Sequence, residues 1–348
     1  MSPARGPTTL LLILLALFGV GAQGRAVSLT GLNLAGAEFG SERGEPGRDY
    51  MYPSDDDLAR VVGSGFDVVR LPFMWERLQH DLGGALDNEE LKLLDATVAR
   101  ARAHKLVIVL DVHNYGRYRG ELIGVGQVKK THFADFWRKL AAHFANREGV
   151  IFGLMNEPHG FAKNDWVDAA NAAIAAIRGA GAHNLVLAPG NAWTGAHSWN
   201  STYYGVANGV AMKALVDPCN NTVIEFHQYF DDDYSGQKGN CQAPEVAAKT
   251  LGEATQWLRS QGRKGFLAEF GSGPGAACLA TLEMALHHLD ANADVWLGWT
   301  YWAAGAWLAK DYPLSVQPIA DGANRPQMTV LLQHLAKPKP IAASCRKP

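Results

Sequence analysis

The chain has no excess of charge of either sign. Its 32 basic side chains meet 34 acidic ones, for a net charge of −2. Nothing there would draw a nucleic acid or an anionic membrane surface, and a neutral ligand suits such a protein. Cysteine is scarce: Cys219, Cys241, Cys278 and Cys345 are the full set, with no pair at C-x-x-C spacing. That spacing argues against structural zinc. H-x-H and H-E-x-x-H are absent, so metal catalysis is not expected and no cofactor is called for. No G-x-G-x-x-G follows the first strand candidate, which speaks against a dinucleotide site. There is no Pro/Thr/Ser-rich linker, no charge block and no repeat with a period of about 20–50 residues. A single domain, sufficient as a monomer, is the economical reading.

Long apolar runs are also missing, with one exception at the N-terminus. Leu10 to Val20 is apolar apart from Gly19, follows the positive Arg5, and leads into Val20-Gly21-Ala22. The run is too short to span about 30 Å of hydrocarbon, and its small residues suit cleavage. Residues 1–22 are therefore read as a signal peptide, and residues 23–348 as the mature domain. The protein is expected to be secreted, extracellular or periplasmic, with no membrane attachment once processed. An even cysteine count in an exported chain points to disulfides, with three possible pairings.

What the chain does have is alternation. Strand candidates at Ser28–Leu34, Asp67–Leu71, Leu106–Val112, Val150–Met155, Leu185–Ala188, Thr222–Phe226, Gly265–Ala268 and Val295–Tyr301 are short and rich in Val, Ile and Leu. Continuous apolar runs of this kind belong to parallel strands buried on both faces. Amphipathic stretches separate them, among them Asn88–His104, His132–Asn146, Asp165–Ala180, Pro244–Gln261 and Ala277–Asn292. The pattern predicts an α/β fold, a (β/α)8 TIM barrel in one domain; an open doubly wound sheet is the main competitor.

Polar or aromatic residues recur at the strand ends: Asn33, Arg70, His113, Glu157, Asn191, His227, Glu269 and Trp302, spaced 33 to 44 residues apart. One βα unit separates each from the next, and the C-terminal rim is where barrel enzymes place their chemistry. Glu157 follows Leu154-Met155-Asn156, and Glu269 is flanked by Ala268 and Phe270. A charge beside a buried apolar run is costly unless solvated, paired or functional. Taken alone, Glu157 could be a loop residue reaching water, although Asn156 and Pro158 on either side argue against a plain solvated end, and Glu269 could be half of a buried ion pair. Together on one rim they form a candidate acid and nucleophile pair.

The neighbours suit that task. Arg70 can hold a carboxylate ionised, Tyr229 emerges on the same face as His227, and His113 and His227 can position or protonate groups. Aromatic residues crowd the same segments: Tyr115, Trp193, Trp199, Tyr203, Tyr204, Tyr229, Trp299, Tyr301, Trp302 and Trp307. Sugar C–H faces pack on such rings, although core packing explains any one of them, Trp299 above all. Trp193 and Trp302, at or just past strand ends, are the best candidates for contact.

In order along the chain stand Gly31-Leu32-Asn33-Leu34-Ala35-Gly36, Val69-Arg70-Leu71-Pro72-Phe73, Leu110-Asp111-Val112-His113-Asn114-Tyr115, Met155-Asn156-Glu157-Pro158-His159, Glu225-Phe226-His227-Gln228-Tyr229, Ala268-Glu269-Phe270-Gly271 and Gly298-Trp299-Thr300-Tyr301-Trp302. This ordered set resembles glycoside hydrolase family five over nearly the whole mature chain. Asp-Val-His-Asn-Tyr and Glu-Phe-His-Gln-Tyr resemble its endo-β-1,4-glucanase (cellulase) subfamily five. The resemblance implies a retaining mechanism on a β-glucan, with Glu157 as general acid/base and Glu269 as nucleophile. It implies that Asn156 binds the sugar 2-hydroxyl and that Arg70 and Tyr229 orient Glu269. His113 and His227 would line the cleaving subsite, and Trp302 would stack under the sugar. It further implies a Cys241–Cys278 bridge between the loops after strands six and seven, leaving Cys219 and Cys345 as a second pair. Mannan, xyloglucan or mixed-linkage glucan are alternative substrates for the same chemistry. A barrel that binds carbohydrate without cleaving it is the alternative of another class.

Overall fold

In a computed structural model the described residues are 27–319 and 322–336. The proposed leader at 1–22, the tail from residue 337 and Cys345 lie outside them. Eight parallel strands close into a barrel. They are β1 (Leu29–Leu34), β2 (Val68–Phe73), β3 (Val107–Val112), β4 (Val150–Gly153), β5 (Val186–Pro189), β6 (Thr222–Tyr229), β7 (Gly265–Gly271) and β8 (Trp296–Ala304). Neighbours in sequence are neighbours in the barrel, and β1 closes on β8 with Leu29 opposite Gly298. The helices between them are α1 (Asp55–Gly63), α2 (Asn88–Ala103), α3 (Lys130–His143), α4 (Asp165–Gly179), α5 (Asn208–Ala211), α6 (Pro244–Ser260), α7 (Ala276–Ala291) and α8 (Pro326–Leu331). The predicted barrel is the observed one; α5 is a single turn, and another single turn, Trp75–Leu78, precedes α2.

Two apolar layers hold the barrel. Leu29, Val68, Val109, Ile151, Leu187, Val223, Phe266 and Ala268 fill its interior below the rim. The second layer lies between sheet and helices. In α3 it takes Phe133, Phe136, Trp137, Leu140 and Ala141, one stripe at helical spacing. Indole N–H groups tie helices to strand ends: Trp137 donates to the Leu154 carbonyl at 3.1 Å and Trp166 to that of Pro189 at 2.7 Å. Gly31 is needed where β1 meets β2, because a Cβ there would fall 1.7 Å from the Val68 carbonyl oxygen.

The strands end differently from the prediction in ways that matter. β6 continues through Tyr229 and β8 through Ala304, so His227 and Trp302 stand within strands. β4 stops at Gly153, two residues earlier than predicted, and Glu157 lies on the loop beyond it. In β7 the pairing steps from Phe226↔Leu267 to His227↔Glu269, one extra residue on the β7 side. Phe266 and Ala268 face the interior, so strict alternation would send Glu269 outward; this bulge turns it into the barrel mouth.

Candidate active site

Arg70 is the centre of the site. Its guanidinium is wholly buried and reaches five acceptors from five different segments. Nη1 donates to Asn33 Oδ1 at 2.9 Å and Glu269 Oε1 at 2.7 Å. Nη2 donates to Asn156 Oδ1 at 2.9 Å and Glu225 Oε1 at 3.1 Å, with Asp111 Oδ1 at 3.0 Å. Arginine has donors only, so the Asn156 oxygen must face it, leaving the amide N–H groups for a ligand.

Tyr229 donates its hydroxyl to the other Glu269 oxygen at 2.8 Å. His227 lies 2.9 Å from Glu157 through Nδ1, 3.0 Å from Glu225 through Nε2 and 3.4 Å from Glu269. Oxygens of Glu157 and Glu269 come within 4.8 Å of each other.

The two glutamates sit in opposite electrostatic settings. Burial pushes Glu157 upward, and His227 only partly offsets it. Burial acts on Glu269 too, but the charges of His227 and Arg70 and the Tyr229 hydroxyl outweigh it and hold it below the ordinary glutamate value. Burial opposes the charge on His227 as well; Glu269, Glu157 and Glu225 overcome that and raise it to about 10. His113 goes the other way, down to about 3, through burial reinforced by Arg70 and His227. Asp111 is raised well above its usual range by burial, which Arg70 offsets only in part. Glu225 is lowered because Arg70 and His227 outweigh its burial. The directions fall into two sets: Arg70 and His227 are favoured as cations and Glu225 and Glu269 as anions, while burial favours the neutral form of Asp111 and Glu157.

The cleft has two lobes that share His113, Tyr115 and Trp302. One, of about 400 Å³, is lined by Asn156, Glu157, Glu269, Tyr229, Trp193 and Tyr203 among others. The second, of about 600 Å³, opens beside Glu38, Phe39 and Met74. Trp302 stacks on His113 with 5.5 Å between ring centres, and His159 stacks on Trp193 at 4.7 Å. Five cleft residues, Tyr115, Arg119, Glu157, Trp193 and Tyr234, hold left-handed backbone at φ 54°, 49°, 43°, 56° and 60°. Such strain in non-glycine residues gathers where geometry serves function.

All the predicted site residues, Glu157, Glu269, Arg70, His113, Asn156, His227, Tyr229, Trp302, Trp193 and Tyr115, meet at this rim. Several other rim and aromatic candidates do not line the cleft. Asn191 is buried, donating to the Phe161 carbonyl at 2.8 Å. Trp199 packs in the core on Phe226, and Trp299 and Tyr301 are core residues. Asp111, Glu225 and Glu38 were missed as site residues. The first two are charges inside apolar strands, Val-Ile-Val-Leu-Asp-Val and Thr-Val-Ile-Glu-Phe, and that cost was the available signal.

Cys241 and Cys278 form a disulfide between the loop after β6 and the start of α7, as the resemblance implied. Cys345, the expected partner of Cys219, lies outside the described residues. Among the described residues, Glu157, His227 and Glu269 are close enough together to hold a cation. Arg70 and a charged His227 already supply positive charge there.

A (β/α)8 barrel with two close carboxylates in an aromatic-lined cleft at its C-terminal rim is the architecture of a glycoside hydrolase. The family model of cellulase (glycosyl hydrolase family 5) matches residues 20–305. Endo-beta-1,4-glucanase B of Emericella nidulans is 36% identical over 291 residues, 83% of this chain and 85% of that protein. Endoglucanase gh5-1 of Neurospora crassa is 39% identical over 292 residues, 83% and 72% of the two chains. Among solved structures, XacCel5A in complex with cellopentaose is 47% identical with a TM-score of 0.87, covering 88% of this chain and 99% of that one. The chain belongs to the cellulase family, glycosyl hydrolase family 5.

Proposed function

We propose that the protein is a secreted, retaining endo-β-1,4-glucanase. The observation that carries this reading is the approach of Glu157 and Glu269 to within 4.8 Å, in opposite protonation settings. Retaining enzymes place their carboxyl groups about 5–5.5 Å apart, whereas inverting enzymes leave room for a water between them. Glu269, held ionised, attacks the anomeric carbon. Glu157, held protonated, gives its proton to the departing glycosidic oxygen. A covalent glycosyl-enzyme results, and Glu157 then takes a proton from the water that releases it.

Asn156, with its oxygen turned to Arg70, donates to the 2-hydroxyl of the reacting sugar. Trp302, backed by His113, supports the sugar face, and His113 and His227 line that subsite. Tyr115 and Trp193 offer rings, each 38% exposed, for neighbouring units. Two lobes that meet at His113, Tyr115 and Trp302, the first of them holding both carboxylates, suit a chain longer than the reacting sugar. β-1,4-Glucan is the favoured substrate because the relatives named above are endoglucanases and one solved relative holds cellopentaose. Export rests on the apolar N-terminal run; no helix among the described residues is long and apolar enough to cross a membrane.

The test is hydrolysis of cellohexaose followed by NMR, with mannan, xyloglucan and mixed-linkage glucan assayed alongside. Internal cleavage releasing the β-anomer first is expected. Initial α-anomer would overturn retention, and faster turnover of another polymer would overturn the substrate.

A further inference from the structure

The hydrolysis just described makes no use of Glu225, yet its wholly buried carboxylate sits one strand repeat below His227. Successive inward positions of β6 carry Glu225, His227 and Tyr229. Glu225 does not reach the cleft. Its Oε1 accepts from Arg70 Nη2 at 3.1 Å and faces His227 Nε2 at 3.0 Å, while Oε2 is buried with no partner. Such a group is expensive to keep unless its charge is used.

The use lies on the far side of the imidazole. His227 Nδ1 faces Glu157 Oε1 at 2.9 Å, so the three side chains form one line, carboxylate to imidazole to carboxyl. We propose that Glu225 is a positioning residue that keeps His227 doubly protonated and thereby fixes which atom of Glu157 carries the acid proton. With Nε2–H given to an anionic Glu225, the ring keeps its second proton on Nδ1 and donates it to Glu157 Oε1. The proton that Glu157 passes to the glycosidic oxygen is then confined to Oε2. A neutral His227 would instead present a lone pair at Nδ1 and draw the Glu157 proton away from the substrate. The groups facing this line are Arg70 from β2, Asp111 and His113 from β3, Tyr229 from β6 itself and Glu269 from β7. Of these only Arg70 is cationic. The inference rests on the proposed acid role of Glu157.

The test uses the full-length enzyme labelled with 15N-histidine, and Glu225→Gln, which keeps the shape and removes the charge. In the wild type, His227 should show two protonated ring nitrogens from pH 6 to about pH 8. In Glu225→Gln its titration should fall by at least one unit. A neutral His227 in the wild type at pH 7 overturns the proposal even if the variant does not fold, as does an unchanged titration in the variant. A kinetic arm compares kcat/KM for cellohexaose, which needs acid assistance, with dinitrophenyl cellobioside, which does not. The loss on cellohexaose should exceed that on the activated substrate about tenfold. Equal losses would mark Glu225 as structural support for Arg70 and overturn the proposal. Wild-type cellohexaose turnover checks the underlying reading separately, and the NMR arm does not depend on it.

Discussion

Arg70 Nη1 meets Glu269 Oε1 at 2.7 Å, and the two side chains are 0% and 4% exposed. The same guanidinium spans Asn33 on one side and Asn156 and Glu225 on the other. A lysine has one point of charge where arginine has a planar fork, so it cannot serve both sides. Arg70→Lys should lower kcat/KM by about a thousandfold, since a misplaced nucleophile and an uncompensated carboxylate act together. Stability should fall by about 3–5 kcal/mol, the cost of breaking a buried ion pair. Urea unfolding and steady-state kinetics on one preparation check both; a variant within tenfold of wild type would remove Arg70 from its proposed role.

The two glutamates should separate by substrate. Glu269→Gln loses the attacking oxygen and should turn over neither cellohexaose nor dinitrophenyl cellobioside. Glu157→Gln should lose about 10²–10⁴-fold on cellohexaose, the range of general acid catalysis. On the activated substrate it should show a burst, because the glycosyl-enzyme forms without acid help and then waits for a base. Mass spectrometry of the quenched reaction should find that adduct on Glu269. An adduct elsewhere reassigns the nucleophile.

The pH profile should be bell-shaped, and its limbs follow from the two shifts. Glu269 is lowered, so activity rises with pH as it ionises, below the ordinary glutamate value of 4.5. Glu157 is raised, so activity falls as pH climbs through its higher value and the acid loses its proton. The pair titrates in two coupled steps, and the limbs report those. Tyr229→Phe deletes the 2.8 Å hydrogen bond to Glu269. A hydrogen bond to a charged group contributes about 1.5–3 kcal/mol, so the acid limb should move up by about 1–2 pH units. The basic limb should stay in place. Movement of the basic limb alone would exchange the roles of the glutamates.

The barrel was legible because its strands are buried on both faces and so read as largely apolar runs, as in Val107–Leu110. The rim was legible because polar residues must follow those runs at intervals of one βα unit. The bulge at Ala268 was not: it is a shift between partners, and the local sequence around Glu269 carries no mark of it. The fates of Trp193 and Trp199 were equally hidden. Both follow β5, yet left-handed turns at Ala192–Thr194 put Trp193 at the cleft, while Trp199 returns to the core beside Phe226. Asp111 and Glu225 were visible as buried charges in strands, but their partners come from elsewhere in the chain.

The Cys241–Cys278 bridge should matter to stability more than to chemistry. It closes a loop with a sequence separation of 37 and a Cα distance of 5.2 Å. Loop-closure entropy for that length gives about 3–4 kcal/mol. The bridge fastens the segment after β6, whose Asp233 and Tyr234 line the cleft, to the first turn of α7. Thr281 adds a 2.8 Å hydrogen bond from α7 to the Gln242 carbonyl, so the contact does not vanish with the disulfide. Arg70, Glu269 and His227 stand on strands, and Glu157 leaves β4 on the other side of the barrel mouth. A Cys241→Ser/Cys278→Ser variant should therefore unfold at lower denaturant, by about 2–4 kcal/mol, while kcat/KM for dinitrophenyl cellobioside stays within about threefold. Guanidinium titration with kinetics at 25 °C measures both. A large loss of turnover at unchanged stability would place the bridge in the catalytic machinery, contrary to the division of labour between strands and loops.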